Sequence, residues 1–440
     1  MILIITNPKY NMVSRMNFSI YDEENTMIMI PGPIEFHPSI IRAMAKKVYG
    51  HRTEYFRSIL RESHENLKKL FGIKRGEVLS MAGSGTLAMD AALRSFSGND
   101  DIILNLVCGK FSHRFYEIAK TVKHKEIITE HVGAELEWGK VFTVDRVKGI
   151  IDKCEDTGKE PTIITLCHNE TSTGVIHDVG EITRTIRKKV SNAIIIVDGI
   201  TSVGAVPIHM EDWDVDVYVA GSQKCLETPP GLAFIALSER AVELIQNSIG
   251  NSLNFGDMDG YYNHVAVYLN AWLKKKDLPF TGAVSLYYAL KTALDNIFKE
   301  GLDNRFRRIR TMSNILKQAI RSMGLKMLIE DRDNVDVEKY ASPTVTAVVY
   351  PSELAESNKN LDKEFRNIVR RMGILIAGGQ SKLKGKIFRM ATMGRVGPRE
   401  IITLISVVEY ALRRLGYKPA QSGIITAIES MENMKIDEEI

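Results

Sequence analysis

Short runs of apolar, largely β-branched residues recur through the first half of this chain, and amphipathic stretches separate them. The runs lie at residues 102–104, 162–166, 193–197, 215–219 and 232–237. Because each run is apolar on both faces, it suits a strand of a mainly parallel sheet that is covered on both sides. Helical stretches between them, such as residues 178–190, complete an α/β pattern. The sequence therefore predicts a large α/β domain over residues 29–300, preceded by an N-terminal arm at residues 1–28.

A second unit is predicted beyond a long helical zone at residues 284–324, which is interrupted at Gly301 and Leu302. Stretches with strand or helix character follow at residues 345–350, 363–372, 374–377, 386–391 and 399–415. They predict a smaller C-terminal α+β domain over residues 301–418. The last residues, 419–440, are weakly patterned and are expected to form a tail. Two domains also agree with the chain length of 440 residues, which exceeds what one small core usually serves.

Charge and cysteine usage exclude several classes of protein. A net charge of +4 is small for this length and argues against a nucleic-acid binder, so the basic runs at 274–276 and 305–308 are expected to be solvated helix faces. The four cysteines have neither metal-ligand spacing nor a dense disulfide pattern, which favours reduced thiols, no metal and a cytoplasmic location. No apolar run approaches the roughly 20 residues that a membrane helix needs.

A glycine-rich turn predicts an anion site early in the large domain. Residues 78–82 have strand character, Gly83-Ser84-Gly85-Thr86 follows at once, and residues 87–96 have helical spacing. The first N–H groups of a helix are unpaired and the helix dipole is positive there, so this arrangement suits a phosphate group. The motif is neither a dinucleotide fingerprint nor a Walker loop. The alternative interpretation is a plain tight turn with a Ser or Thr N-cap.

Two residues farther along the chain suggest the cofactor that such a phosphate would belong to. Asp198 ends the apolar run 193–197, where the carboxyl ends of parallel strands bind ligands. Lys224 follows Gly221-Ser222-Gln223 and precedes Pro229-Pro230-Gly231, so it lies in a shaped loop. A lysine can form a Schiff base, and an aspartate can hold a pyridine nitrogen protonated. Together they indicate pyridoxal 5'-phosphate (PLP), although a turn aspartate and a surface lysine are the ordinary alternatives.

Two further segments at strand ends could complete the ring site. Phe111 lies in the segment 108–114 and could stack on the cofactor ring, the alternative being a core phenylalanine. The polar segment 168–174 follows the apolar run 162–166 and suits the wall of a site. Within that segment, Thr171 could donate a hydrogen bond to the phenolic oxygen of the ring.

With these motifs assembled, the chain resembles the class V aminotransferases of PLP fold type I, and among them the archaeal-type alanine/serine–glyoxylate aminotransferase branch. The resemblance covers residues 29–417 and rests on motifs in the family's order. They are Pro31-Gly32-Pro33, Gly50-His51-Arg52-Thr53, Gly83-Ser84-Gly85-Thr86, the segment 168–174, Val197-Asp198, Gly221-Ser222-Gln223-Lys224 with Pro229-Pro230-Gly231, and Gly385-Lys386-Ile387-Phe388-Arg389.

The resemblance implies a role for each matching residue. Lys224 is the lysine that carries PLP and shuttles the proton, and Asp198 pairs with the pyridinium nitrogen. Arg389 grips the substrate carboxylate, and Gly32 lies beside the substrate. Thr281 reaches the phosphate of a neighbouring subunit, so a homodimer is expected. The phosphate contacts within the chain are Ser84, Gly85, Thr86 and Gln223.

The resemblance also implies a reaction. It is a two-stage, ping-pong transfer of an amino group from a small amino acid, alanine or serine, to a small keto acid, glyoxylate or pyruvate. Aspartate, ureidoglycine, phosphoserine and aminoethylphosphonate are alternative donors, and His51 and Arg52 could form a positive wall for an acidic one. A cysteine desulfurase or hydrolase of the same class is a weaker alternative, because the last cysteine is Cys225, beside Lys224. A non-catalytic PLP-binding protein is weaker still, because Lys224 and Arg389 are both present.

Overall fold

The fold is described from a computed structural model, which covers residues 25–132, 138–249 and 258–434. Most of the predicted N-terminal arm therefore lies outside the described residues. The strands in chain order are β1 Met27–Ile28, β2 Glu77–Ala82, β3 Ile102–Val107, β4 Glu126–His131, β5 Ile163–Cys167, β6 Asn169–Glu170, β7 Val175–Ile176, β8 Ile194–Asp198, β9 Val217–Gly221, β10 Leu232–Leu237, β11 Val345–Val349, β12 Ile374–Leu375, β13 Ala377–Gly378 and β14 Ile387–Ala391.

Helices cover both faces of the central sheet and build much of the smaller unit. In chain order they are α1 Pro38–Met44, α2 Glu54–Phe71, α3 Gly85–Phe96, α4 Lys110–Ala119, α5 Val144–Asp156, α6 Val179–Lys189, α7 Glu239–Ile249, α8 Val265–Lys275, α9 Val284–Glu300, α10 Leu302–Ser322, α11 Leu328–Arg332, α12 Val337–Tyr340, α13 Ser352–Ser357, α14 Leu361–Arg371, α15 Pro398–Arg414 and α16 Gly423–Asn433.

The central sheet has seven strands in the order β2-β10-β9-β8-β5-β3-β4. Strand β10 runs antiparallel to both of its neighbours, and the other pairs are parallel. Strands β3, β5, β8, β9 and β10 are buried along their whole length, as the two-sided apolar runs predict. The predicted α/β fold with a mainly parallel sheet is therefore confirmed. The loops after β2, β3, β5, β8 and β9 all leave from the same edge of the sheet.

A separate hydrophobic core lies in the C-terminal part of the chain. Its apolar residues come from α10, α14 and α15 and from strands β11 and β14. The small antiparallel sheet has the order β11-β14-β13. Strand β1 pairs with β12, so the end of the predicted arm joins this unit rather than the large sheet.

Some sequence predictions of local structure are wrong in detail. Strand β9 begins at Val217 rather than at 215, and the predicted strand 374–377 is divided between β12 and β13. The predicted tail contains helix α16, whose Gly423 N–H donates to the carboxylate of the buried Glu409 on α15. That capping partner lies 14 residues earlier in the chain, so short-range pattern gives little sign of it.

Candidate active site

The loops at the carboxyl edge of the sheet converge on one pocket. Its lining residues are Ser84, Gly85, Thr86, Phe111, Arg114, Asn169, Thr171, Asp198, Ile200, Thr201, Gln223 and Lys224. Every cofactor contact predicted from the sequence, with the exception of Thr281, is in this set. The structure thus brings together side chains that are up to 140 positions apart in the sequence, Ser84 and Lys224.

The glycine-rich turn forms the start of helix α3 at one wall of the pocket. Ser84 is the N-cap residue, but its side chain makes no capping hydrogen bond. A Cβ on Gly85 would lie 2.6 Å from the Cδ1 atom of Ile200, so the absence of a side chain at Gly85 lets the Ile200 side chain pack against the start of α3. The free N–H groups and the positive end of α3 therefore face a pocket that can accept an anion.

Lys224 lies deep in the same pocket. Its Nζ donates a hydrogen bond to the carbonyl oxygen of Pro31. Burial is the main cause that lowers the pKa of the Lys224 amine, to about 8; Cys225 and Asp198 act in the opposite direction, and the Arg389 and Arg114 guanidinium groups act with burial. A larger fraction of this amine than of an exposed lysine amine is thus neutral near physiological pH, which favours attack on an aldehyde.

The lowered pKa gives a test of this environment. We expect the cofactor-free protein to capture pyridoxal phosphate with a rate constant that rises with pH through about 8, because only the neutral amine attacks. Stopped-flow absorbance across a pH series measures this rate. A rate that follows the titration of an ordinary lysine, near pH 10.4, would contradict the assigned burial.

Asp198 ends strand β8 and is almost completely buried. Its Oδ1 accepts a 2.9 Å hydrogen bond from the Ile200 N–H. Burial is the main cause that raises the pKa of Asp198, to about 7; the Ile200 N–H opposes this rise and the negative charge of Glu170 adds to it. A carboxyl held in this way is stabilised in its ionised form by a cation placed beside it, such as a protonated ring nitrogen.

Three buried polar atoms in this wall have no hydrogen-bond partner among the described residues. They are Thr171 Oγ1, Gln223 Oε1 and Asn169 Oδ1. Buried polar atoms in native proteins are nearly always hydrogen-bonded, so the three atoms indicate a polar ligand. Together with the helix N-terminus, the nucleophilic lysine and the buried aspartate, they fit a phosphorylated pyridine aldehyde.

Arg114 also lies in the pocket, although the sequence did not single it out. Its guanidinium carbon lies 5.1 Å from the centre of the Phe111 ring, and Nη1 donates a 3.1 Å hydrogen bond to Thr86 Oγ1. Arg114 therefore brings a positive charge to the side of the pocket where α3 begins. The spacing of Phe111 and Arg114, which places them on one face of α4, is the signal that could have identified it.

Glu170 is a second residue that the sequence did not single out. This fully buried carboxylate accepts hydrogen bonds from the N–H groups of Phe111 (3.0 Å) and Ser112 (2.8 Å) and from the Ser112 hydroxyl. Its other oxygen accepts from the N–H and hydroxyl of Ser172. Glu170 thus fixes the start of α4, and with it Phe111, to the loop that carries Thr171.

Arg305 is buried against the loop that carries Lys224, and this position contradicts one sequence prediction. The basic run 305–308 was expected to be a solvated face, but Arg305 is buried, at 1% exposure. It pairs with the buried Glu227 and donates to the carbonyl oxygens of Gly204 and Cys225, each at 2.7 Å. Because Cys225 follows Lys224 directly, these bonds fix the backbone beside the lysine.

Gly32 and Arg389 lie close to Lys224 although they do not line the pocket itself. Gly32 has a φ of +85°, and a Cβ there would lie 2.6 Å from Lys224 Cδ. Arg389 is buried on β14; it donates two hydrogen bonds to the Gly378 carbonyl oxygen and one, of 2.9 Å, to that of Thr171. Since a guanidinium has five N–H groups, two remain for another acceptor.

Two other predicted residues lie outside this pocket. Thr281 is exposed. Arg52 forms an ion pair with the buried Asp277 and donates to the carbonyl oxygens of Leu278 and Pro279. Arg52 therefore does not contribute a positive charge to the pocket of its own chain, as the sequence hypothesis would require.

The described residues also bear on metal binding, membrane insertion and thiol chemistry. Among them there is no cluster of His, Cys, Asp or Glu suited to a metal ion, and none of their helices combines the length and apolarity of a membrane span. Cys225 is buried, and burial raises the pKa of its thiol to about 12. A thiol in this state is a poor nucleophile, which weakens the desulfurase alternative.

Comparison with known proteins places this pocket in a family. Residues 40–377 match the model of class V aminotransferases. An uncharacterized aminotransferase of Methanocaldococcus jannaschii is 36% identical, over 93% of this chain and 98% of the relative. The serine–glyoxylate aminotransferase of Methylorubrum extorquens is 27% identical, over 92% of this chain and 95% of the relative. The crystal structure of ureidoglycine–glyoxylate aminotransferase from Bacillus subtilis superposes with a TM-score of 0.80 at 28% identity, covering 92% of this chain and 98% of that one.

The two relatives and the crystal structure each align with more than nine tenths of this chain, and all three are named as aminotransferases. Class V aminotransferases of this type depend on PLP, in agreement with the pocket. This chain therefore belongs to the class V aminotransferase family and is a PLP-dependent enzyme of fold type I.

Proposed function

We propose that this enzyme transfers the amino group of a small amino acid, alanine or serine, to a small keto acid, glyoxylate or pyruvate. One observation carries the proposal: the guanidinium of Arg389, with two N–H groups to spare, is close enough to Lys224 to lower the pKa of its amine. A carboxylate on Arg389 would therefore place the rest of an amino acid beside the lysine. A relative named for serine and glyoxylate supports this choice of substrates.

The proposed mechanism assigns one task to each side chain. PLP, when bound, supplies a ring that withdraws electrons from the substrate's α-carbon. Asp198 keeps the ring nitrogen protonated, and the start of α3 with Gln223 holds the phosphate. Arg389 fixes the substrate carboxylate with two parallel hydrogen bonds. Lys224 takes the proton from the α-carbon as a base and returns a proton as an acid. The two half-reactions use the same groups in opposite directions, so we expect ping-pong kinetics.

The charges in the pocket favour a neutral donor over an acidic one. Arg114 is hydrogen-bonded to Thr86 at the start of α3, so its charge acts on the phosphate side of the pocket. Arg52, the other cation considered for an acidic side chain, pairs with Asp277. Aspartate and phosphoserine would therefore bring a second anionic group that neither of these cations is placed to receive.

The role of Arg389 can be tested by a conservative change. We expect Arg389→Lys to lower kcat/KM for the amino acid by about 10²-fold, because an ammonium cannot form the two parallel bonds of a guanidinium. Steady-state kinetics measure the loss, and PLP affinity, measured separately, should change little. Arg399→Lys is the matched control, since the Arg399 side chain is 90% exposed. A variant with unchanged kcat/KM would remove Arg389 from the substrate site.

Donor specificity is tested with the holoenzyme and single amino acids. We expect alanine or serine to change the visible absorption spectrum and to release pyruvate or hydroxypyruvate, with no acceptor present. Aspartate should react more slowly in the same assay. If aspartate reacts while alanine and serine are inert, the proposed donors are wrong although the chain is still an aminotransferase.

We further propose a homodimer in which Thr281 contacts the phosphate bound by the other subunit. The support is that Thr281 is exposed and is not among the residues that line the pocket of its own chain. Light scattering tests the dimer. The substitution Thr281→Val, followed by a measurement of PLP affinity, tests the contact with the phosphate. A fully active monomer would contradict this assignment.

A cytoplasmic location agrees with four buried cysteines that form no disulfide.

A further inference from the structure

A second groove, of about 440 Å³, lies between the large sheet and helix α10. Its walls include His168 and His177 after strand β5, Trp213, and Asn314 and Lys317 on α10. It shares no lining residue with the pocket that contains Lys224. The segment from His168 to Thr171 separates the two, with His168 on one side and Thr171 on the other.

Lys317 is the most unusual group in this groove. It is only 5% exposed, and its Nζ makes one long hydrogen bond, of 3.4 Å, to the carbonyl oxygen of Ala341. Among the described residues it has no ion pair. Lysines are almost never buried without a partner, because an ammonium ion loses its hydration there. Burial accordingly lowers the pKa of Lys317 to about 8.

His177 lines the same groove and presents a buried ring nitrogen without a hydrogen-bond partner among the described residues. Its Nδ1 bonds to the Cys167 carbonyl oxygen at 2.8 Å, which requires the proton to be on Nδ1. Burial lowers the pKa of His177 to about 4, so the ring is neutral and Nε2 carries a lone pair. Nε2 is buried and has no hydrogen-bond partner in the described chain. Val175, two residues earlier, bridges to Ala341, the acceptor of Lys317.

The acidic side chains of the groove are already engaged. Asp178 pairs with Lys339, and Glu338 pairs with Arg321. Arg310 is exposed at the rim and makes no ion pair with any described residue. Among the residues that the structure describes, Lys317 and Arg310 therefore have no anionic partner, and His177 Nε2 has no donor.

We propose that this groove binds a small oxyanion that also carries a hydroxyl group, with its charge on Lys317 and Arg310 and its hydroxyl donating to His177. A phosphate bearing a proton and an α-hydroxy acid share this chemistry. Such a ligand would give Lys317 an anionic partner and His177 Nε2 a hydrogen-bond donor, and no described side chain does either. It would also bridge the large sheet and α10, and its site abuts the segment that carries Thr171 into the catalytic pocket.

The test uses the PLP-loaded enzyme, so that the phosphate cradle at α3 is filled. Calorimetry and thermal melting would measure the binding of inorganic phosphate, lactate and acetate. Acetate is included because it is an anion without a hydroxyl group. We expect phosphate and lactate to bind and to raise Tm, and acetate to bind at least several-fold more weakly. Lys317→Met should abolish this binding, and Arg310→Ser, at the exposed rim, should weaken it several-fold. Lys326→Met, an exposed lysine, is the control and should bind as the parent enzyme does.

Phosphate stabilises most proteins without specific binding, so the difference between variants is decisive. Lys317→Met should melt at a higher temperature than the parent without anion, because it removes a buried charge, and should gain less from added phosphate. Equal phosphate binding by the parent and by Lys317→Met, or by the parent and Arg310→Ser, would overturn the proposal. Acetate binding as tightly as lactate would overturn the role of His177.

Discussion

Lys224→Ala is expected to lower kcat by about 10⁴-fold or more while leaving the protein folded and able to bind PLP without a covalent bond. The loss is large because the substitution removes two functions of Lys224 at once. General acid–base catalysis alone contributes about 10²–10⁴-fold, and the nucleophilic capture of the cofactor adds to it. The phosphate cradle, Asp198 and Phe111 are untouched, so equilibrium dialysis should still detect bound PLP.

Two controls separate this effect from damage to the fold. Lys188→Ala removes an exposed lysine at the end of α6 and should have parental activity. Borohydride reduction followed by mass spectrometry should place the cofactor on Lys224 in the parent and on no residue of the variant. If Lys224→Ala retained more than about a hundredth of the activity, the loss would be smaller than the removal of a catalytic base allows. That result would contradict the assignment of Lys224 as the catalytic lysine.

The second large effect is expected for Asp198→Asn, which we predict to lower kcat by about 10³-fold. The amide keeps the shape of the carboxylate and can still accept from the Ile200 N–H, at 2.9 Å in the parent. It cannot hold a neighbouring ring nitrogen protonated, so the cofactor loses much of its electron-withdrawing power. PLP affinity should fall as well, because an ion pair in a buried site is lost. Steady-state rates and PLP titration measure the two effects.

Thermal stability gives a readout for Asp198 that does not depend on turnover. Its folded pKa of about 7 lies above the usual aspartate pKa of 3.8, so the folded state retains the proton more strongly than the unfolded state. The contribution of Asp198 to stability therefore falls as pH rises from about 4 to about 7 and stays low above it. Cofactor-free Asp198→Asn should thus melt at a higher temperature than the parent at mildly alkaline pH. Asp212→Asn, at an exposed position, should not. A lower Tm for cofactor-free Asp198→Asn would contradict the burial assigned to this carboxyl.

Local pattern was enough to predict the parts of the site that depend on strand ends and turns. The two-sided apolar runs located β5 and β8, and Asp198 and Thr171 follow from where those strands stop. The strand–glycine–helix order located the start of α3 with an error of two residues. These features are decided by residues within a few positions of one another, which is the range that periodicity and capping describe.

The residues that hold the pocket in place, Glu170, Arg305 and Arg389, were not predictable from local pattern in these roles, because their contacts join distant parts of the chain. Glu170 accepts from Ser112, 58 positions away, and Arg305 donates to Gly204, 101 positions away. A charged residue in a buried network has the same local pattern as a solvated one, which is why the pattern predicts a solvated position for the buried Arg305. The two carbonyl oxygens that orient Arg389 became apparent only once β13, β14 and the Thr171 loop were placed together.

The central claim, that the chain carries an amino group from one acid to another on its own cofactor, has one direct measurement. The PLP-loaded enzyme is mixed with serine or alanine labelled in the amino nitrogen, without acceptor, and freed of the unbound amino acid. Glyoxylate is then added and the products are examined by mass spectrometry. We predict up to one equivalent of keto acid per active site in the first stage and labelled glycine in the second. Unlabelled glycine, or label that leaves as ammonia in the first stage, would contradict the account.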